Sequence, residues 1–332
     1  NQVQTGDPWL PTTLAFFVTG GGFAGTALPP GLCREGDMML AALVKDVADV
    51  AGMTVVAARD SRLPLPTGAA DNATWRVLPA DADPWRAWAE IIDDVDAVWP
   101  IAPETDGLLE RLSALVLAQG KSLLGCSPSA VALTASKLAT FRHLARHGVP
   151  TPPTLPLAEA TIDSPGGWVV KPDDGAGCER TYFIARAEEL AAMAERPEAA
   201  GCIAQAFVPG VAGSLSMICA LGQAWLLACN RQDVTLEGGC FRYRGGVVGG
   251  LEGSRGFLAP IAAQVAAAMP ELWGYVGVDV VLGDQGPAVI EVNPRLTTSY
   301  VGLRPAIGIN PAQLVFDLLG PAPLAWRRRA VT

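Results

Sequence analysis

The stretch Gly277-Val278-Asp279-Val280-Val281-Leu282-Gly283-Asp284-Gln285-Gly286-Pro287-Ala288-Val289-Ile290-Glu291-Val292-Asn293-Pro294-Arg295 decides how the rest of the chain is read. Two β-branched runs flank a Gly/Pro/Asp cluster, the signature of antiparallel strands joined by a short loop. With the loop centred on Gln285, Leu282 faces Ala288 and, counting outward, Asp279 stands opposite Glu291. Directly opposed side chains have Cβ atoms about 5 Å apart, and like charges there repel. Two carboxylates among Val, Ile and Leu therefore ask for a cation between them. Strand side chains alternate, so Asn293 shares the face of Glu291 and adds a third oxygen. Oxygen donors alone, few in number and without His or Cys, suit Mg²⁺ shared with a nucleotide's phosphates better than Zn²⁺. A solvent-facing hairpin with two surface acids is the plain alternative.

The chain has 332 residues, 50% of them hydrophobic, enough for a core that splits into two or three domains. A net charge of -9 and a pI near 4.8 exclude a nucleic-acid partner, which needs clustered Lys and Arg to neutralise phosphates. The basic run Arg327-Arg328-Arg329 is too short to alter that. No apolar run reaches the roughly 20 residues that span a bilayer, so no membrane partner is expected. No signal peptide is read before the first strand, and a cytoplasmic location is the expectation. The seven cysteines (Cys33, Cys126, Cys178, Cys202, Cys219, Cys229, Cys240) are scattered and never form C-x-x-C, as small core hydrophobes in a reducing compartment do. His143 and His147 are the only histidines, which leaves almost no material for a zinc site or a Ser-His-Asp triad. Beside Arg142 and Arg146 they read as a solvated helix face.

Residues 14–18 are an apolar run ending in Thr19-Gly20-Gly21-Gly22-Phe23-Ala24-Gly25, which satisfies G-x-G-x-x-G. A dinucleotide fingerprint opens directly into a helix, whereas Leu28-Pro29-Pro30-Gly31 follows here, so a nicotinamide enzyme built on Gly20, Gly22 and Gly25 is the lesser alternative. Apolar spacing from Met38 to Val47 predicts a helix starting near Glu35 or Asp37. Met53 to Ala57 and Ala97 to Pro100 are predicted strands, with Asp60-Ser61-Arg62 just beyond the first and a helix from Leu108 after the second. Strand alternating with helix indicates a parallel, doubly wound first domain. Ser136-Lys137 heads a further helix, and Gly148-Val149-Pro150-Thr151-Pro152-Pro153-Thr154 is a linker, since three prolines exclude helix and central strand.

Trp168 to Pro172 is a predicted strand whose Lys171 leads into Asp173-Asp174-Gly175-Ala176-Gly177. Glycines let backbone N–H groups turn toward anionic oxygens, and the lysine adds a point charge. The lysine precedes the glycines, so the P-loop order is absent. Cys202 to Val208 and Ser214 to Cys219 are further strands. Arg242 and Arg244 lie on one side of an extended segment, where together they could grip a carboxylate.

Val289 to Arg295, with an Asp twelve positions before its Glu, resembles the metal-binding end of ATP-grasp ligases. The family's elements follow in order over nearly the whole chain. The resemblance implies an α/β and α+β architecture: an N-terminal doubly wound domain (1–127), a small ATP-grasp lid domain with its preceding helix and linker (128–208), and a C-terminal ATP-grasp domain (209–325). It implies ATP as co-substrate, with Lys137, Lys171 and the loop glycines Gly175 and Gly177 on phosphates. Gln205, Ala206, Phe207 and Val208 would lie on adenine, and Asp279, Glu291 and Asn293 on Mg²⁺. Lys171 and Arg295 would neutralise developing charge as an acyl phosphate forms and an amine displaces phosphate.

Glu35-Gly36-Asp37-Met38-Met39-Leu40, Asp60-Ser61-Arg62-Leu63 and Ala102-Pro103-Glu104-Thr105-Asp106-Gly107 are similar to the tyramine-glutamate ligase branch, which joins glutamate's side-chain carboxylate to an amine. On that reading both partners are small molecules: Glu35 and Glu104 take the amine cation, Phe23 or Trp9 its aromatic body, and Arg242, Arg244 or Arg295 the amino acid's carboxylate. A homodimer is left open, and so is a nucleotide-binding regulatory module without turnover. The chain departs from the family pattern twice. Val211-Ala212-Gly213 offers no acid for a ribose, and Gly277 stands where an arginine is often found two residues before the first metal-binding Asp.

Overall fold

The computed structural model describes residues 12–16, 18–66, 73–160, 164–175, 178 and 180–320. Trp9, Gly177 and Arg327 to Arg329 lie outside the described residues. Two compact units form, the first from the described residues up to Ala102 with Leu112–Gly125 and the stretch from Ile309, the second from Pro103–Arg111 with Cys126–Gly308.

The first unit holds β1 (Thr12–Phe16), α1 (Pro30–Ala48), β2 (Val55–Asp60), β3 (Ala73–Leu78), α2 (Pro84–Asp93), β4 (Ala97–Ile101) and most of α3 (Leu108–Ala118), then β5 (Ser122–Leu123). Its strands pair in parallel in the order β3-β2-β1-β4-β5, the doubly wound sheet the alternation implied. Helix α1 begins at Pro30, roughly one and a half to two turns before the predicted start. Proline lacks the N–H that a first helical turn cannot satisfy, so Pro29-Pro30 opens this helix instead of postponing it. Glu35 therefore sits half-buried inside α1 and not at its start. The β1–α1 loop is pinned by Arg62, whose guanidinium donates to the Phe23 and Thr26 carbonyls and to Asp60.

The second unit holds α4 (Pro128–Ala135), α5 (Lys137–Arg146), β6 (Thr154–Pro156), β7 (Trp168–Pro172), β8 (Tyr182–Ile184), α6 (Ala187–Ala194) and β9 (Cys202–Ala206). After them come β10 (Val211–Ala220), β11 (Gln223–Glu237), β12 (Cys240–Val247), α7 (Arg255–Ala268), β13 (Gly274–Gly283), β14 (Gly286–Asn293) and α8 (Leu303–Ile307). Helix α9 (Pro311–Asp317) returns to the first unit. The strands form one sheet, β14-β13-β10-β11-β12-β8-β7-β9-β6. Its two parts join at a single residue pair, Cys240 with Tyr182, flanked by hydrogen bonds from Phe183 N–H to Gly239 O (2.8 Å) and from Phe241 N–H to Thr181 O (2.9 Å). Leu157, Trp168, Val170, Ile184, Leu190 and Ala204 form the core beneath the smaller part.

The proline segment is more than a linker. Val289 N–H donates to Pro150 O and Ala206 N–H to Pro153 O, both at 2.8 Å, while Thr151 Oγ1 donates to Val289 O at 2.9 Å. Residues 150–154 are thus a strap between β14 and β9. Nor is His143 free in solvent, since its Nε2 lies 2.7 Å from Ala268 O at the end of α7. Among the described residues no helix is long and apolar enough to cross a membrane.

Candidate active site

Strands β13 and β14 place Asp279 opposite Glu291, as expected, by a different route. The turn is tighter by one residue: Gly283 pairs Gly286 and Leu282 pairs Pro287, not Ala288. A bulge next to Asp279 then leaves Ile290 as an extra residue and restores the opposition. Asp279 accepts from Gln232 Nε2 at 2.9 Å and from Asn293 Nδ2 at 3.3 Å. Burial, then the charge of Glu291, pushes its carboxyl up to about 6. Glu291 Oε1 lies 3.5 Å from Lys137 Nζ.

Lys137 is buried at the head of α5, and its Nζ donates to Gly175 O at 2.6 Å and Asp173 O at 3.4 Å. That helix start is fixed by Asp173, whose carboxylate accepts from Leu138 N–H (2.8 Å) and Ser136 Oγ (2.7 Å), so the acid sits where the helix dipole favours it. Lys171 is buried on β7, and burial lowers its ammonium to about 8 against the opposing pull of Glu291. Burial and then the Asp279 charge raise the Cys178 thiol. Two lysines, two carboxylates and an amide thus converge from α5, β7, β13 and β14. Among the described residues no three His, Cys, Asp or Glu side chains gather as a metal cage. A divalent ion here would rest on Asp279, Glu291 and the Asn293 amide, and two opposed carboxylates whose charges disfavour one another form a donor set that such an ion suits.

Several expected site residues are committed elsewhere. The Gln205 side chain is buried and bonded to Lys171 and Thr154, and the Ala206 and Phe207 N–H groups donate to Pro153 and Gly167. An adenine contact would fall to the carbonyls of this stretch and to Val208. Glu104 does not stand ready for an ammonium ion: its Oε2 takes both Arg295 Nε and Nη2 at 3.0 Å, and its Oε1 is buried without a partner among the described residues. Arg295 donates a third time, from Nη1 to Leu296 O at 3.0 Å. The joint grip expected of Arg242 and Arg244 is absent, because Arg244 closes on both oxygens of Glu237 (2.7 Å) at the exposed end of the β11–β12 hairpin. A bulge between Asp233 and Val234 also upsets the alternation that placed the two arginines together.

Two features escaped the sequence reading. Thr297 fills the space beside Gly277, with Cγ2 2.6 Å from where a Cβ would stand, and its Oγ1 lies 3.1 Å from Tyr275 OH. Tyr275 donates to Ser216, which also accepts from Asn230, so a buried polar network underlies Asp279. Asp174 accepts from Asp106 N–H at 2.9 Å. None of these carries a local pattern, since each depends on the pairing of distant segments.

Residues 134–299 match the ATP-grasp domain and residues 53–131 the pre ATP-grasp 3 domain. The chain is 27% identical over 212 residues to the tyramine–L-glutamate ligase of Methanocaldococcus jannaschii, a match covering 64% of this chain and 59% of that protein. It thus spans less than two thirds of that relative's length. An ATP-grasp superfamily protein from Archaeoglobus fulgidus superposes with a TM-score of 0.71 and 26% identity over 92% of this chain and 87% of the other. The L-amino acid ligase of Bacillus licheniformis gives 0.64 and 18% over 92% and 73%, a likeness of fold.

Proposed function

The chain belongs to the ATP-grasp family, and from that premise we propose that it is an ATP-dependent carboxylate–amine ligase acting on two small molecules. The observation that carries this reading is the opposition of Asp279 and Glu291 beside the buried Lys137 and Lys171. A lysine ammonium in a water-poor site is a strong electrostatic partner for phosphate oxygens, and its lowered pKa reflects the hydration it has already lost. Asp279, Glu291 and Asn293 would hold Mg²⁺, which when bound supplies charge neutralisation at the phosphates. Lys137 and Lys171 bind and orient the polyphosphate, and Arg295, held by Glu104, presents its remaining N–H groups to an oxyanion.

In the first step a substrate carboxylate oxygen attacks the γ-phosphorus and ADP leaves. In the second the amine nitrogen attacks the acyl carbon, phosphate leaves with its oxygen, and the nitrogen loses a proton. For the substrate pair, the similarity to tyramine–L-glutamate ligase supports glutamate's side-chain carboxylate and tyramine or a related arylalkyl amine. Glu35 remains a candidate for the amine within the first unit.

The test is ADP release with Mg²⁺, ATP and panels of amino acids and amines. Turnover requiring both partners is expected, and Glu291→Gln should remove at least about 99% of it while leaving thermal unfolding within a few degrees. Nucleotide binding without ADP release under any pair would mark a regulatory module, and ADP release with other pairs but not tyramine would end the narrow assignment alone.

A further inference from the structure

Between β6, β7 and β9 lies a one-way chain of hydrogen bonds that ends on Lys171. Its far end is the Pro152 carbonyl, which can only accept, and Thr154 Oγ1 donates to it over 3.0 Å. With its proton committed, that hydroxyl accepts from Gln205 Nε2 at 3.1 Å. The amide is thereby turned so that Oε1 faces Lys171 Nζ, 2.9 Å away. Thr154, Gln205 and Lys171 are 1%, 3% and 7% exposed, so water does not compete for these groups. Pro152 is itself held, because the strap on either side of it is bonded to Val289 and Ala206. The chain of bonds therefore runs from the strap, which Pro150 and Thr151 tie to the strand bearing Glu291, to the lysine. A neutral acceptor fixes a flexible ammonium without cancelling its charge, which a carboxylate in that place would do.

We propose that Thr154 and Gln205 are positioning residues that aim the Lys171 ammonium at the nucleotide's phosphates, Thr154 acting through Gln205 and touching no ligand itself. The proposal rests on the reading of Lys171 as a phosphate ligand, and it replaces the adenine role of the Gln205 side chain.

The experiment measures binding of a fluorescent ATP analogue with Mg²⁺ to the full chain, so no substrate pair is needed. Thr154→Val keeps the shape and deletes the hydroxyl, and should weaken binding about fivefold to tenfold, the effect of one buried hydrogen bond. Thr154→Ser keeps the hydroxyl and should restore binding to within about twofold, whether or not the valine variant folds well. In a Lys171→Met background Thr154→Val should cost nothing more, because the group it serves is gone. Binding by Thr154→Val within about twofold of the parent, no recovery with serine, or the same loss in the Lys171→Met background would each overturn the proposal. If the parent chain fails to bind the analogue, the nucleotide reading falls first and the positioning role with it.

Discussion

Gly277 is held by what stands beside it. A methyl group there would come within 2.6 Å of Thr297 Cγ2, so Gly277→Ala should cost about 1–3 kcal/mol by overpacking. Adding Thr297→Ser removes the clashing methyl and keeps the hydroxyl for Tyr275, and the double variant should recover most of the loss in urea unfolding. Asp279 makes a pH-dependent prediction. Its folded value of about 6 lies above the ordinary 3.8, so the native state holds the proton more tightly than the unfolded chain between those values. Its contribution to stability is lost as pH rises through that window and stays unfavourable above it. Metal-free Asp279→Asn should thus melt above the parent at neutral pH, with the gap closing near pH 4, roughly the unfolded carboxylate value. A gap that persists unchanged at low pH would mean that the ionised Asp279 carboxylate is not its source. Glu104→Ala strands a mostly buried guanidinium and should cost up to about 3–5 kcal/mol, more than the Glu104→Ala/Arg295→Met pair.

What could be read from the sequence follows the range of the forces that shape each element. Strand β4, buried at every position, and the lysine-headed α5 were legible because burial and capping are local signals. Strand β3 was not read, although Ala73-Thr74-Trp75-Arg76-Val77 alternates apolar and polar as a half-buried strand does; at the sheet edge it buries only Leu78 fully. The opposition in the metal hairpin is reached through two cancelling departures from simple counting, a turn one residue tighter and a bulge, because bulges have no dependable sequence mark. Glu104 and Arg295 both stand out in the sequence, yet their mutual pairing across 191 positions does not, since sequence reports residue types and not partners. At this scale the start of α5 is testable. Ser136 caps Ala139 N–H and donates to Asp173, so Ser136→Ala should lower stability by about 1–2 kcal/mol in chemical unfolding.

The nine-stranded sheet divides where the sequence divides: β6 to β9 lie on one side of the Cys240–Tyr182 pair and β10 to β14 on the other. Backbone amides there have few neighbours to protect them. In hydrogen exchange, Phe183 and Phe241 should open faster than the amides of the β10–β13 ladder, which pairs nine residues of each strand. Equal protection would mean that the junction opens only with the whole unit. Around it Phe207 packs on Phe183 (5.0 Å between ring centres) and Phe241 (6.2 Å), so apolar contact supplements the sparse backbone pairing. A junction made of main-chain groups and one small aromatic cluster asks little of side-chain identity. Residues from about 150 to 208 could accordingly be exchanged for the same segment of a distant relative, and what the graft must reproduce at that edge is a strand direction and two rings to meet Phe241, not a sequence.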